Sequence, residues 1–540
     1  MNQASPQLSE SSRRSLASIV GEQQVRTSFP DRLAYQNDCW PRGIILSRGR
    51  RLNHHLPSAI VQPESEEEVV EIVRWAAGEG VAVVPFGAGS GVCAGAVADS
   101  ESIVVDLKRL DDLIEIDADN RTVRAGPGII GMDLETYLND AGWTMGHYPS
   151  SLYCSSLGGY LAARSAGQYS SRYGKIEDMV LSMRAVTGDG EVVETAADVG
   201  RHSAEWRGDP GRDLNEIVVG NEGTLGLITE ALMRIEPKPT RRNYRGFQFS
   251  SLDRALDAIR QIMQRGLRPT TVRLYDEVDS LVGGSEKKGE SPSKKVPNLF
   301  ERLAGRARKW IPESVDSSFR ETVERATQAL TGRAVGQPLV LNSIADILPG
   351  HSLLVVGFEG TTSLVDEDAE YAYELCRHHG IDLGKGPGEH WLENRFSVSY
   401  KQSPMFDSGA FVDTMEVSTT WDNLRNLYDN VREAMRSHVF VMAHFSHVYP
   451  EGSSIYFTFA GFGADVDESL RRYQNAWQAG LDAVADSGAS IAHHHGVGKS
   501  KAPWTGRDHR GGKKLFDRLK DRYDPHRILN PGAVYPDGST

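Results

Sequence analysis

The stretch between residues 81 and 107 constrains this chain more than any other. An apolar strand, Val81–Pro85, runs into Phe86-Gly87-Ala88-Gly89-Ser90-Gly91, and a second apolar strand, Ile103–Leu107, follows. A glycine-rich turn after a strand bares main-chain N–H groups that suit phosphate oxygens. In a nucleotide-binding βαβ unit such a turn must open a helix. Here Ala94–Glu101 is small and polar and leaves no room for one of about ten residues before the next strand. A Rossmann unit is excluded, and a phosphate-wrapping loop of another kind is expected.

Two further clusters have the same character. Pro149-Ser150-Ser151 leads through Ser155-Ser156 to Gly158-Gly159, and Tyr173-Gly174-Lys175-Ile176 follows. Later comes Asn221-Glu222-Gly223-Thr224-Leu225-Gly226, running into Leu227-Ile228. Each alone is ordinary turn chemistry. In this order, bordered by apolar strands, the three loops can surround one extended ligand carrying a diphosphate. The glycine content supports that reading: 54 of 540 residues, above the usual ~7%.

Around these loops the pattern reads as α+β. Ser65 and Glu68 form a capping box ahead of a helix. Leu113–Asp117 with Thr122–Ala125, and Met183–Thr187 with Glu191–Glu194, read as hairpins. Pro237-Lys238-Pro239 marks a boundary, beyond which two β-α-β patterns follow. We therefore expect an arm (1–57), a first domain (58–237), a second domain (238–500) with a flexible insertion at about 283–315, and a C-terminal segment (501–540) returning to the first domain. The net charge, 60 − 73 = −13, argues against nucleic acid as a partner. The cysteines Cys39, Cys93, Cys154 and Cys376 form no C-x-x-C pair. The opening residues carry no apolar core of signal-peptide type, and no window approaches the length of a membrane span. A cytoplasmic location is expected, with membrane contact at most peripheral.

The three loops together resemble the flavin-binding domain of the FAD-linked oxidase family, the vanillyl-alcohol oxidase type. Within it, Ile491-Ala492-His493-His494-His495-Gly496-Val497-Gly498-Lys499, Ser454-Ile455-Tyr456-Phe457 and Thr271-Val272-Arg273-Leu274-Tyr275-Asp276 resemble its alkyldihydroxyacetonephosphate synthase branch. The resemblance covers about residues 58–535. It implies a two-domain α+β fold with an antiparallel sheet and helices in the cap domain. It also implies FAD as cofactor, without a covalent link to the ring. The implied cofactor residues are Pro85, Phe86, Gly87, Ala88, Gly89, Ser90 and Gly91 on the diphosphate. Pro149, Ser150, Ser151, Ser155, Ser156 and Gly159 lie around the ribityl chain and ring, with Ile176 nearby. Asn221, Glu222, Gly223, Thr224, Leu225, Gly226 and Ile228 lie on the adenine side. Cys93 reads as a small buried thiol.

In the second domain, alternation places Tyr456 with Thr458 on one face of a strand, and Arg273 with Thr271 and Tyr275 on one face of another. The resemblance assigns acid–base work to Tyr456 and to His493, His494 and His495, and an anion contact to Arg273. If the strand Ser490–Ala492 continued, only His493 and His495 would share a face. His444 and His447 are two more imidazoles, but the metal-binding pattern of related hydroxy-acid dehydrogenases is missing around them, and no metal is expected. Where the synthase branch carries Arg after Tyr400, this chain has Lys401-Gln402. Substrate contacts are expected from Arg395, Lys401, Gln402 and His447.

Two functions follow. The first is the synthase chemistry: a redox-neutral exchange of acyl for alkyl on acyl-dihydroxyacetone phosphate, a step of ether lipid synthesis, with flavin N5 as nucleophile. The second is an FAD-dependent oxidase or dehydrogenase acting on an alcohol or 2-hydroxy acid. Gln402 favours the second and the triple histidine the first. A lipid substrate also suits Lys287–Lys309, which holds eight basic and two acidic residues beside Phe300, Leu303, Trp310 and Ile311. Such a stretch reads either as a lid helix or as a surface for anionic membranes. The partners expected are a small-molecule or lipid substrate, with a homodimer left open.

Overall fold

The computed structural model describes residues 8–49, 51, 56–196, 213–283, 337–347, 350–397, 406 and 409–536. Lys401, Gln402 and the insertion beyond residue 283 lie outside the described residues. The chain divides into two compact units, Met1–Thr240 with Ser490–Thr540, and Arg241–Ala489.

The second boundary differs from the expected one at 500/501, because residues 490–500 belong to the first unit. The histidine run is thus part of that unit. Its tether is visible: Val497 and Gly498 donate their main-chain N–H groups to the Glu222 carboxylate, at 2.5 and 2.7 Å.

Two larger sheets and a two-stranded one, Trp143–Thr144 with Glu236–Pro237, build the first unit among the described residues. Strands Ala59–Val61, Ser102–Asp106 and Ala82–Phe86 run parallel, and Val25–Arg26 adds an antiparallel edge. Ser65 caps the helix Glu66–Glu79, whose apolar face (Val69, Ile72, Val73, Ala76) is buried against this sheet. The second sheet is antiparallel and five-stranded, in the order Leu113–Asp117, Thr122–Ala125, Leu227–Arg234, Val180–Val186, Val192–Glu194. Both expected hairpins are present. A short helix, Asn215–Val218, precedes the third glycine loop.

Seven antiparallel strands form the second unit's sheet. Their order is Ile381–Gly384, Arg241–Phe249, Ser352–Gly360, Thr271–Tyr275, Phe440–Val448, Gly452–Phe462, Ala410–Thr420. The strand–helix–strand patterns seen in the sequence are split. The strands Arg241–Phe249 and Thr271–Tyr275, joined through helix Leu252–Gln264, enclose Ser352–Gly360. The strands Ser352–Gly360 and Ile381–Gly384, joined through Leu364–His379, enclose Arg241–Phe249. One side of each long strand is buried and apolar: Ile455, Phe457 and Phe459 are fully buried, as are Ala443 and Phe445. The alternate residues carry the polar groups described below.

Candidate functional site

The structure brings the three glycine and hydroxyl loops of the first unit into contact. Ser90 Oγ lies 2.6 Å from Ser155 Oγ, which in turn donates to Ser151 Oγ at 2.7 Å. A Cβ on Gly87 would strike Ser156 Oγ, and a Cβ on Gly223 would strike the Pro85 ring. Only glycine allows these approaches. The second and third loops are joined by main-chain bonds, Gly220 N–H to Leu161 and Glu222 N–H to Ala162.

The loop after strand Ala82–Phe86 forms no helix; residues 87–101 are bends and turns. The main-chain N–H groups of Ala88, Gly89, Ser90 and Gly91 have no acceptor among the described residues. Gly89 holds φ at +68°, with the Phe86 ring where a side chain would go. Ser156 caps the helix Leu157–Ala162 by accepting from Gly159 N–H at 3.3 Å. Ser150 Oγ accepts from Gln168 at 3.1 Å. The buried Asn221 Nδ2 has no partner among the described residues. Unanswered N–H donors beside a glycine cradle are what an anionic, polar cofactor such as FAD needs, so these residues fit it.

Other predicted cofactor residues are interior. Ile176, Thr224, Leu225 and Ile228 are buried. Glu222 is also buried, and its carboxylate accepts from Val497 and Gly498. Its main-chain N–H is bonded to the Ala162 carbonyl and its carbonyl accepts from Asn530 Nδ2 at 2.6 Å, so Glu222 acts as a tie between the third loop and its neighbours. Burial pushes the Glu222 carboxyl up to about 7, against the pull of those two N–H groups. Lys520 Nζ binds the Thr224 and Leu529 carbonyls at 2.7 and 2.6 Å and pairs with Asp524 at 2.7 Å. It ties the third loop to the C-terminal segment.

The histidine run is not a strand; residues 493–495 are bends. The expected alternation of faces therefore does not apply. His493 Nδ1 and His494 Nδ1 are 3.0 Å apart, and the rings of His494 and His495 meet edge to face at 4.5 Å. All three rings are in one cluster.

The second unit holds a row that sequence reading missed. Strand register aligns Tyr275 with His444, His444 with Tyr456, and Tyr456 with Glu416. Directly paired residues share a face, so four polar side chains cross four adjacent strands. His444 lies flat on Tyr456, with ring centroids 4.7 Å apart. Its Nδ1 is 3.4 Å from Asp279 Oδ2. Burial and Arg273 hold the imidazole well below its usual range, and burial raises Asp279 to about 6. The contact is therefore a neutral imidazole beside a carboxyl group, not a salt bridge. Burial pushes the Tyr456 phenol up to about 12, so it stays protonated at neutral pH.

Arg273 sits two residues before Tyr275 and donates from Nε to its hydroxyl at 3.1 Å. The two terminal nitrogens of Arg273 have no carboxylate partner among the described residues. The remaining substrate candidates are elsewhere. Arg395 ends the helix Gly386–Asn394, donates to the Leu392 carbonyl at 2.6 Å and lies over the Phe396 ring. His447 is buried at a bulge with φ +54°, opposite Ser453 and Ser454. Among the described residues, no group of three or more His, Cys, Asp or Glu side chains is arranged to hold a metal. The signal for the row was present only as an alternation within each strand; which residues face each other depends on register.

Comparison with known proteins agrees with this architecture. Residues 57–196 match the FAD binding domain family, and residues 238–534 match the FAD linked oxidases, C-terminal domain family. The alkyldihydroxyacetonephosphate synthase of Dictyostelium discoideum is 30% identical over 493 residues, covering 89% of this chain and 73% of that protein. The D-2-hydroxyglutarate dehydrogenase of Stutzerimonas stutzeri (strain A1501) is 36% identical over 499 residues, covering 89% and 91%. A solved alkyldihydroxyacetonephosphate synthase superposes with TM-score 0.71 at 26% identity, over 98% of this chain and 86% of that one. A substrate-bound p-cresol methylhydroxylase shares the fold, with TM-score 0.70 at 16% identity over 98% and 96%. With its C-terminal match spanning more than half its length, this chain belongs to the FAD-linked oxidase family and is an FAD-dependent enzyme with that family's two-domain fold.

Proposed function

We propose that this enzyme exchanges acyl for alkyl on acyl-dihydroxyacetone phosphate. The observation that carries the reading is Arg273, a guanidinium anchored through Nε with both terminal nitrogens unpaired among the described residues. It stands on the same strand face as Tyr275, in the row that continues to His444 and Tyr456. Such a fork suits the phosphate or the departing carboxylate of this substrate. Bound FAD supplies a ring system with a nucleophilic N5 for chemistry at an activated carbon. In the exchange, carboxylate leaves carbon with its bonding electrons, the alcohol oxygen bonds to that carbon, and the alcohol loses a proton; nothing is oxidised. A Tyr456 phenol that is protonated at neutral pH and stacked on the neutral His444 ring supports a role in holding or donating a proton. His493, His494 and His495 are assigned the matching proton movements.

Anaerobic incubation with acyl-dihydroxyacetone phosphate and a fatty alcohol should yield the ether-linked product and free fatty acid without lasting loss of flavin colour. Absence of ether product overturns the assignment. The identity to a 2-hydroxy-acid dehydrogenase favours a second reading, hydride removal from a hydroxy acid. In that case the hydroxy acid alone bleaches the flavin. Among the described residues no helix is long and apolar enough to cross a membrane. Peripheral contact through the basic stretch Lys287–Lys309 belongs to the proposal, and flotation with anionic vesicles checks it.

A further inference from the structure

The N-terminal arm precedes the matched family region, yet it lies against the first glycine loop. Tyr35 meets the Phe86 ring edge-on at 4.8 Å and donates to Asp106 Oδ2 at 2.6 Å. Lys108 pairs with the same carboxylate at 2.8 Å and donates to the Gly87 carbonyl at 3.1 Å. A few residues on, Asp38 is buried, 8% exposed. Its Oδ1 accepts Trp40 N–H at 3.0 Å. Its Oδ2 makes no hydrogen bond among the described residues. A Cβ on Gly91 would lie 3.5 Å from that oxygen. The bare atom therefore borders the segment whose N–H groups, Ala88 to Gly91, also have no acceptor.

A carboxylate beside a diphosphate would be repelled, whereas a neutral carboxyl can donate to one. Burial drives Asp38 up to about 7, and the N–H groups of Trp40, Ala96 and Gly95 only partly offset this. The titratable groups around it do not supply a compensating cation at contact. They are the Cys39 thiol on its own segment and the buried Glu222 on the third loop, with Lys501 beyond Glu222. Glu222 and Asp38 each disfavour the other's ionisation.

We propose that the arm is part of the cofactor site, and that Asp38, protonated, donates from Oδ2 to a diphosphate oxygen of FAD held by Ala88–Gly91. The proposal rests on the reading that this loop holds the diphosphate. Binding is then linked to a proton: a protein whose Asp38 has ionised must take one up to bind.

The experiment is FAD titration of apoprotein by flavin fluorescence between pH 6 and pH 9. Wild type should lose affinity by about tenfold per pH unit once Asp38 is ionised. Asp38→Asn keeps a donor at that position at every pH and should bind with a flat profile. Asp38→Ala should also be flat but weaker. The same pH slope in Asp38→Asn as in wild type overturns the proposal. Calorimetry of wild type in two buffers of different ionisation enthalpy gives a second measurement that needs no variant. It should show net proton uptake near pH 8, and zero uptake overturns the proposal. Gly89→Val separates the two readings, since its side chain would strike Phe86. If Gly89→Val weakens FAD binding while the wild-type profile is flat, the loop reading stands and Asp38 has no such role. If Gly89→Val binds FAD normally, the loop reading itself fails.

Discussion

The imidazole of His444 stacks on the ring of Tyr456, with centroids 4.7 Å apart and planes 20° from parallel. The stack fixes the phenol ring on a strand face where the hydroxyl is bonded to Thr414. Removing only the hydroxyl should leave the stack intact. Tyr456→Phe is therefore expected to retain bound flavin and to lose about 10²–10⁴-fold in kcat, the usual range for a lost proton-transfer group. Flavin absorbance and steady-state turnover check both halves. Loss of flavin would show that Tyr456 is structural.

Arg273 should matter for binding more than for folding. Its neutral replacement Arg273→Gln removes a charge-assisted contact worth about 1.5–3 kcal/mol, or roughly 10–100-fold in KM for an anionic substrate. Arg273→Lys keeps the charge but not the fork and should fall between the two. Equal KM values for wild type and Arg273→Gln would remove this residue from substrate binding.

Lys520 is buried between two carbonyls and Asp524, whose side chain is fully buried and also accepts from Ile528 and Leu529 N–H. Deleting one charge of such a pair leaves the other stranded. Lys520→Met should destabilise the protein by about 3–5 kcal/mol. Because the same ammonium holds the Thr224 carbonyl, flavin should be released at a lower temperature. Thermal melts followed by flavin fluorescence test this; an unchanged midpoint contradicts it.

His147 gives a pH dependence with a definite sign. It is fully buried, lies edge-on to Tyr160 and sits 3.2 Å from Ser165 Oγ. Burial lowers it from 6.5 to about 3. The unfolded chain therefore binds a proton that the folded one does not, between those two values. Its contribution to stability is complete above pH 6.5 and is lost as pH falls toward 3. His147→Asn should show a shallower fall in melting temperature across that window than wild type. A parallel fall in both would assign the acid sensitivity elsewhere.

Much of the first unit was legible because its signals are local. Gly87, Gly89 and Gly223 occupy positions where a side chain would collide or the backbone turns left-handed, so composition and function coincide along the chain. The Ser65 cap and the two hairpins are equally local. The alternation considered for the histidine run does not apply because residues 493–495 are bends, ahead of Gly496 and Gly498 at positive φ.

The amino-acid sequence alone showed three glycine- and hydroxyl-rich loops beside apolar strands and motifs that resemble the FAD-linked oxidases, and that resemblance made Tyr456, Arg273 and the histidine run candidates for the chemistry. The loops and motifs are read from residue type and spacing, which need no partner strand. Only the tertiary structure decided that Tyr275, His444, Tyr456 and Glu416 form one row, that the histidine run belongs with the first unit through Glu222, and that Asp38 of the arm borders the glycine loop. Each depends on contacts between residues separated in the chain, by 12 positions for His444 and Tyr456 and by 275 for Glu222 and Val497. Register and burial set those contacts, and neither is a property of any short segment.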